Sequence, residues 1–186
     1  MSASSANTLA KQLLSLPITL NEGKVHLWLT YRDLKPVSTF QLSGKKSEDK
    51  KVFDWLARAG LHYIPDLKGN HVYFASKDVE LAEKAKEIMW KQNHKNQVAK
   101  GKLFGYPAKA SELIAKFWKE PKSEIMTRRV QLLARGYPGY YRYAAYMLRK
   151  GYESEDGEVA KKWARIIRQE IPELAKAYEQ DVKKAT

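Results

Sequence analysis

Arginine supplies the most evident binding chemistry in the second half of the chain. If residues 139–150 form a helix, Arg142, Tyr146 and Arg149 lie at positions i, i+4 and i+7 and share one stripe. Guanidinium groups donate paired hydrogen bonds to phosphates, and a tyrosine ring offers a face to a base. We therefore predict an anion-binding surface made of this stripe and its basic neighbours. Its members are Arg128, Arg129, Arg135, Arg142, Tyr146, Arg149 and Lys150.

The tripeptide Gly-Tyr-Pro occurs twice in the chain. Its copies are Gly105, Tyr106, Pro107 and Gly136, Tyr137, Pro138. Glycine tolerates a positive φ, a residue before proline is extended, and proline suits the first position of a helix. Each copy therefore predicts an abrupt helix start, whose first N–H groups are free to hold a phosphate. The alternative is a purely structural helix start in which the tyrosine packs against the following turn.

Positive charge is concentrated in one part of the chain. The 186 residues carry a formal net charge of +13, and residues 94–152 alone contribute +10. The same segment holds ten of the 21 aromatic side chains. Basic and aromatic residues together are typical of nucleic-acid-binding surfaces. The alternative is a solvated basic face whose tyrosines lie in the core.

Sequence signatures of catalysis and of metal binding are missing. The chain has no cysteine, which excludes disulfides, thiolate zinc sites and cysteine nucleophiles. It has no glycine-rich phosphate loop and no GxSxG or HExxH motif. The four histidines are scattered, and acidic residues 153–158 are better explained as a helix start than as a calcium loop. We expect no catalytic residue, no metal and no cofactor.

Hydrophobic periodicity in the first half predicts strands. Residues 24–31 alternate between two sets of side chains and predict a strand, with residues 38–42 as its partner. Turn residues between 61–64 and 71–75 predict a second hairpin.

Three helices are predicted to accompany these strands. They cover residues 9–16 up to Pro17, 47–60 capped by Ser47, and 78–93 capped by Asp78. The order is α-ββα-ββα. This pattern predicts an α+β fold with a four-stranded, mainly antiparallel sheet that carries its helices on one face.

From about residue 98 onward the periodicity is wholly helical. Proline and glycine delimit five predicted helices, at residues 108–119, 123–135, 139–150, 155–170 and 172–184. A polar, basic linker at 92–102 precedes them. We therefore expect an α/β sheet domain at 1–97 and a basic, all-helical domain at 98–186. Because the linker is only about ten residues long, the two are free to share one core.

A helix start followed by the first Gly-Tyr-Pro forms a recognisable pattern over residues 75–118. The matching positions are Ser76, Lys77, Asp78, Gly101, Leu103 and 105–107. In these positions the segment resembles a small, mainly archaeal family of uncharacterised proteins. Cysteine often follows Gly-Tyr-Pro in that family, whereas alanine and lysine fill residues 108–110 here. The family has no settled activity to carry over, so the resemblance implies a shared fold and not a function.

Three classes of function are consistent with these features. The first is binding of nucleic acid, RNA or single-stranded, through the surface at 94–152. The second is a protein-interaction or structural module with an acidic partner, and the third is an enzyme that acts on a phosphorylated small molecule. No apolar run approaches the roughly 18 residues of a membrane span, so no membrane partner is expected. The lack of an apolar signal segment favours a cytoplasmic location.

Overall fold

The computed structural model combines α-helices with a three-stranded antiparallel sheet and a short two-stranded one. It describes residues 3–66, 71–91, 93–117, 126–127, 129–146 and 148–184. The helices in these ranges are α1 (Ala3–Leu14), α2 (Asn21–Tyr31), α3 (Lys46–Arg58), α4 (Val79–Met89), α5 (His94–Leu103), α6 (Ala108–Phe117), α7 (Arg129–Ala134), α8 (Glu153–Glu170) and α9 (Pro172–Lys184), with a 3₁₀ helix at Gly139–Tyr143. The strands are β1 (Ser38–Gln41), β2 (His62–Pro65), β3 (Val72–Ser76), β4 (Met126–Thr127) and β5 (Leu148–Arg149).

Three strands, rather than the predicted four, form the main sheet. The hairpin predicted between residues 61 and 75 is confirmed, since β2 pairs antiparallel with β3 and Ile64 lies opposite Phe74. β1 pairs with the other edge of β3, where Phe40 lies opposite Tyr73. Helices cover both faces, not one. Phe74 packs against α4 on one face, while Phe53 of α3 packs against Tyr73 on the other.

The strand predicted at residues 24–31 is wrong, because this segment belongs to α2. Val25, Leu27 and Leu29 are buried as expected, but Trp28 and Thr30 are buried too. A helix enclosed on nearly all sides has no polar stripe, so its sequence loses the 3.6-residue period. Apolar residues at every second position therefore did not distinguish a strand from a buried helix.

Capping side chains explain the boundaries of α4 and α5. The carboxylate of Asp78 accepts a hydrogen bond from the backbone N–H of Glu80 (2.9 Å), which confirms the predicted helix start. The side chain of Asn93 accepts one from the N–H of Asn96 (2.9 Å) and begins α5. The linker predicted at 92–102 is therefore wrong, since most of it forms this helix.

Each Gly-Tyr-Pro copy joins one helix to the next. Gly105 has a φ of 70° and Gly136 a φ of 77°, as the motif predicts. The N–H of Tyr106 then donates to the carbonyl of Gly101, and Tyr137 donates in the same way to Leu132. This arrangement is a Schellman cap, which ends the preceding helix. The prolines open α6 and the 3₁₀ helix, so the motif has a structural role at both of its ends.

The second half is helical but contains one pair of two-residue strands. α6, α8 and α9 follow the predicted boundaries closely, whereas the described part of 123–135 holds β4 and the short α7. The helix predicted at 139–150 is wrong, since a 3₁₀ helix there gives way to β5, which pairs with β4. Its Gly-Tyr-Tyr-Arg-Tyr sequence has weak helix propensity, and burial of Tyr141, Tyr143 and Leu148 takes precedence.

Two hydrophobic clusters connect the N-terminal and C-terminal halves. The larger contains side chains of α1, α2 and α3 together with those of α8 and α9, including Trp55 and Trp163. The smaller joins Phe74 of β3 to Phe104 at the end of α5. The indole of Trp28 also donates to Glu170 at the end of α8 (2.8 Å). Both clusters thus include residues from either side of position 97.

A close contact between Gly101 of α5 and Ser111 of α6 generates a stability prediction. A β-carbon at Gly101 would overlap Oγ and Cβ of Ser111, so Gly101→Ala forces the two helices apart. We expect a loss of about 1–3 kcal/mol in the free energy of unfolding, measured by urea denaturation. The exposed neighbour change Lys102→Ala serves as control and stays within about 0.5 kcal/mol. Adding Ser111→Gly to Gly101→Ala restores part of the loss. An unchanged stability of Gly101→Ala would contradict this packing.

Candidate nucleic-acid interface

Part of the predicted arginine set lies at the surface. Arg135, after α7, and Lys150, after β5, are both exposed. Arg129 begins α7, but its side chain lies outside the described part of the chain, as does the whole of Arg128. Arg135 and Lys150 therefore keep the exposure that a phosphate contact requires.

Tyr146 and Arg149 point into the protein instead. The hydroxyl of Tyr146 donates to the backbone carbonyl of Asp156 (2.7 Å). Arg149 donates hydrogen bonds to the carboxylate of Asp156 from Nη2 and Nε at distances of 2.7–3.1 Å. Its Nη2 also forms an ion pair with Glu155 (3.1 Å). Only 12% of the Arg149 side chain and 1% of the Asp156 side chain are exposed. The predicted stripe of Arg142, Tyr146 and Arg149 does not exist, because residues 139–150 are not a helix.

The buried contacts of Arg149 and Tyr146 shift the pKa values of both side chains. The hydrogen bonds that the Arg149 guanidinium donates to Asp156 raise the pKa of the guanidinium. Burial raises the pKa of the Tyr146 hydroxyl, so this group stays protonated as a donor. Since its charge is already neutralised by two carboxylates, Arg149 has little to offer a phosphate.

Arg142 lies beside a second arginine that the sequence analysis did not select. A β-carbon placed on Gly139 would lie 2.5 Å from Nη1 of Arg142 and 3.8 Å from Nη2 of Arg168, so the two guanidinium groups flank the same position. Arg168 pairs with Glu179 through Nε (2.8 Å) and remains 45% exposed. Two adjacent cations at the surface attract a common anion.

Arg168 is the last member of a row of exposed cations on α8. The row, called the α8 ridge below, consists of Lys161, Lys162, Arg165 and Arg168. Three of the four, Lys161, Lys162 and Arg165, line a surface groove of about 490 Å³ with Glu158 and Val159. Lys161 pairs with Glu158 (3.3 Å). In the ranges that the structure describes, neither Lys162 nor Arg165 has an acidic partner.

The α8 ridge was missed because charges were summed over long blocks. Residues 153–186 hold seven basic and eight acidic residues, which suggests a neutral segment. Four of these acidic residues are clustered at the start of α8, where Asp156 pairs with Arg149 and Glu155 with Lys109 rather than with the ridge. Spacings of i, i+4 and i+7 within this predicted helix already indicated a shared cationic face.

A buried lysine lies beneath the inner face of α8. Lys35 is 1% exposed, and its ammonium donates to the carbonyl of Phe104 (2.8 Å). Its Nζ lies 4.5 Å from the ring centre of Trp163, 5.0 Å from Tyr106 and 5.9 Å from Phe104. We call these three rings the aromatic box. Aromatic faces attract cations, so the box replaces part of the water that Lys35 loses.

Burial controls the ionisation of Lys35. Desolvation lowers the pKa of its amine from 10.5 to about 7, and the charge of Glu22 opposes this shift. Among the described residues no carboxylate forms an ion pair with it. The amine is therefore held by one carbonyl and three rings, and it titrates near neutral pH.

Other surface features offer less binding chemistry. A groove of about 210 Å³ between α2 and β1 contains Glu22 and His26, one helical turn apart, but no arginine among its described lining residues. The described ranges contain no trio of His, Asp or Glu placed to hold a metal ion. None of the described helices is both long and apolar enough to cross a bilayer.

Comparison with known proteins adds no relative to this picture. No family model, curated protein or solved structure matches the chain. The resemblance over residues 75–118 thus stays a prediction, and function has to be argued from the geometry.

The Arg149–Asp156 pair generates a stability prediction. Arg149→Ala leaves the buried carboxylate of Asp156 without its main partner, so we expect a loss of about 3–5 kcal/mol in the free energy of unfolding. Lys150→Ala removes the same charge from an exposed neighbour and should stay within about 0.5 kcal/mol. Thermal and urea denaturation of both variants measure the difference. Equal stabilities would show that Arg149 is not structural.

A second prediction concerns the pH dependence set by Lys35. Between pH 7 and 10.5 the unfolded chain binds the proton of this amine more strongly than the folded protein, so the free energy of unfolding rises with pH. Relative to Lys35→Met, the parent should gain about 2.5 kcal/mol between pH 6.5 and 9. Urea denaturation at both pH values measures this gain. The exposed change Lys102→Met gives no such trend, and a pH-independent difference for Lys35→Met would contradict the assignment.

Proposed function

We propose that this protein binds nucleic acid, RNA or single-stranded DNA, and that the α8 ridge with Arg142 contacts the phosphates. The observation that carries the proposal is the pair Lys162 and Arg165, which line one groove without a described acidic partner. Unpaired surface cations release counterions when they meet phosphates, which is the main source of affinity for nucleic acids.

Neighbouring cations extend this surface. Arg142 and Arg168 flank Gly139 at the C-terminal part of the ridge, where the guanidinium of Arg168 also lies 5.9 Å from the ring centre of Tyr143. Arg168 uses Nε for Glu179, which leaves its terminal nitrogens available to a phosphate oxygen. Arg135 and Lys150 are exposed and add to the positive field of the second half. The proposed surface thus retains part of the set predicted from sequence and adds four residues to it.

The two alternative functions have less support. An acidic protein partner would also be attracted to the ridge, but peptide carboxylates are sparser than the phosphates of a nucleic acid strand. An enzyme acting on phosphorylated molecules would need a pocket with convergent arginine, glutamate and histidine. The described groove with Glu22 and His26 lacks the arginine. A cytoplasmic location belongs to the same proposal.

Salt-dependent binding tests the proposed function. We would titrate a labelled single strand of about 12 nucleotides, as RNA and as DNA, by fluorescence anisotropy over a range of salt. Lys162→Ala combined with Arg165→Ala removes two phosphate contacts, so affinity should fall and the salt slope should decrease by about 1.4. The matched control is Lys46→Ala with Lys51→Ala on α3, which removes two exposed lysines elsewhere and should leave the slope unchanged.

Three results would contradict the proposal. If neither strand binds more tightly than millimolar at low salt, nucleic-acid binding is wrong. If polyglutamate of equal charge binds as tightly as RNA, the acidic-partner alternative replaces it. Binding that is reduced equally by both double variants would place the phosphate contacts outside the α8 ridge.

A further inference from the structure

We propose that Tyr137 and Tyr140 form a stacking platform for unpaired bases beside the α8 ridge, so that the ligand is a single strand rather than a duplex. The inference rests on the proposed function, because the ridge must hold the phosphates of the same strand. It assigns the second Gly-Tyr-Pro copy a binding role in addition to its structural one.

Tyr137 presents an exposed ring on a rigid backbone. The residue is 39% exposed, although most large aromatic residues of the described ranges are buried or half-buried. Gly136 fixes the turn before it, Pro138 restricts it from the other side, and its own N–H donates to Leu132 (3.1 Å). Because the backbone is already ordered, little conformational entropy is lost when a base stacks on the ring.

A buried tyrosine supports the platform from below. The ring of Tyr141 is 1% exposed and lies 5.7 Å from that of Tyr137, nearly perpendicular to it. Tyr140 is half-buried and stacks on Tyr141 at 4.6 Å with an interplanar angle of 26°. Edge-to-face and offset-stacked rings are the favoured aromatic arrangements, so the three tyrosines hold one another in place.

Two close contacts locate the platform next to the cations. Gly157 of α8 lies against Tyr141, since a β-carbon there would be 2.9 Å from the tyrosine hydroxyl oxygen. Lys161 follows Gly157 by one helical turn on the same side of α8. Further along α8, toward its C-terminus, Arg168 lies beside Gly139 of the same segment. The segment 137–143 therefore runs alongside the part of α8 that carries the ridge.

This juxtaposition distinguishes a single strand from a duplex. Phosphates are present in both, so a cationic ridge alone does not discriminate between them. Base faces are accessible to an aromatic side chain only when the bases are unpaired, and stacking is tolerant of sequence. Rings adjacent to cations therefore favour single strands of either RNA or DNA.

An abasic strand separates the contribution of base stacking from that of the phosphate contacts. We would compare an RNA strand of about 12 nucleotides with an abasic strand that carries the same number of phosphates, and with the corresponding RNA duplex. Tyr137→Ala should weaken binding of the normal strand by about fivefold to a hundredfold and leave binding of the abasic strand unchanged. Tyr137→Phe keeps the ring and should bind like the parent. Tyr152→Ala is the control, because its exposed ring lies over Arg149, which is already neutralised.

The possible outcomes test base stacking on the platform separately from phosphate binding by the ridge. If the parent binds normal and abasic strands equally, and Tyr137→Ala changes neither, the platform is wrong while the phosphate contacts stand. If the duplex binds as tightly as the single strand, the platform is likewise refuted. If no strand binds at low salt, the proposed function fails and the platform with it.

Discussion

The arrangement of this protein depends on the burial of one lysine side chain, that of Lys35. Lys35 follows α2 in a short turn and reaches between Phe104 and Tyr106 toward Trp163 of α8. Burial lowers the pKa of this amine to about 7, and among the described residues it is held by one carbonyl and three rings instead of a carboxylate. These contacts bring together the α2 turn, the first Gly-Tyr-Pro copy and α8.

The buried contacts on the inner face of α8 also position the cations on its outer face. Trp163 faces Lys35, while the neighbouring Lys162 lies in the surface groove. Gly157 brings the helix close to Tyr141, and Arg149 holds the buried Asp156 near its start. Because these contacts hold the helix at three positions along its length, the cations of the α8 ridge are presented on an ordered scaffold, which reduces the entropy lost on binding.

The sequence correctly predicted the helices and strands whose ends are set by turn, capping or proline residues. The hairpin from residue 61 to 75 follows from its turn residues, the start of α4 from the Asp78 cap, and the boundary between α8 and α9 from Pro172. The strand predicted at residues 24–31 was wrong because burial on nearly all sides of α2 removes the helical periodicity of its sequence. The predicted stripe of Arg142, Tyr146 and Arg149 was wrong because residues 139–150 do not form the helix on which it depended. Nothing local indicates that Lys35 is buried, because only tertiary packing brings the aromatic box around it.

The most direct test of the account is a map of where a single strand binds. We would follow backbone amide chemical shifts of the folded protein during titration with a short single-stranded RNA. The account predicts that the changes centre on residues 161–168 and 137–142, with few in α3 and in the sheet. Changes confined to α5 and α6, within the segment whose sequence carries most of the charge, would contradict it.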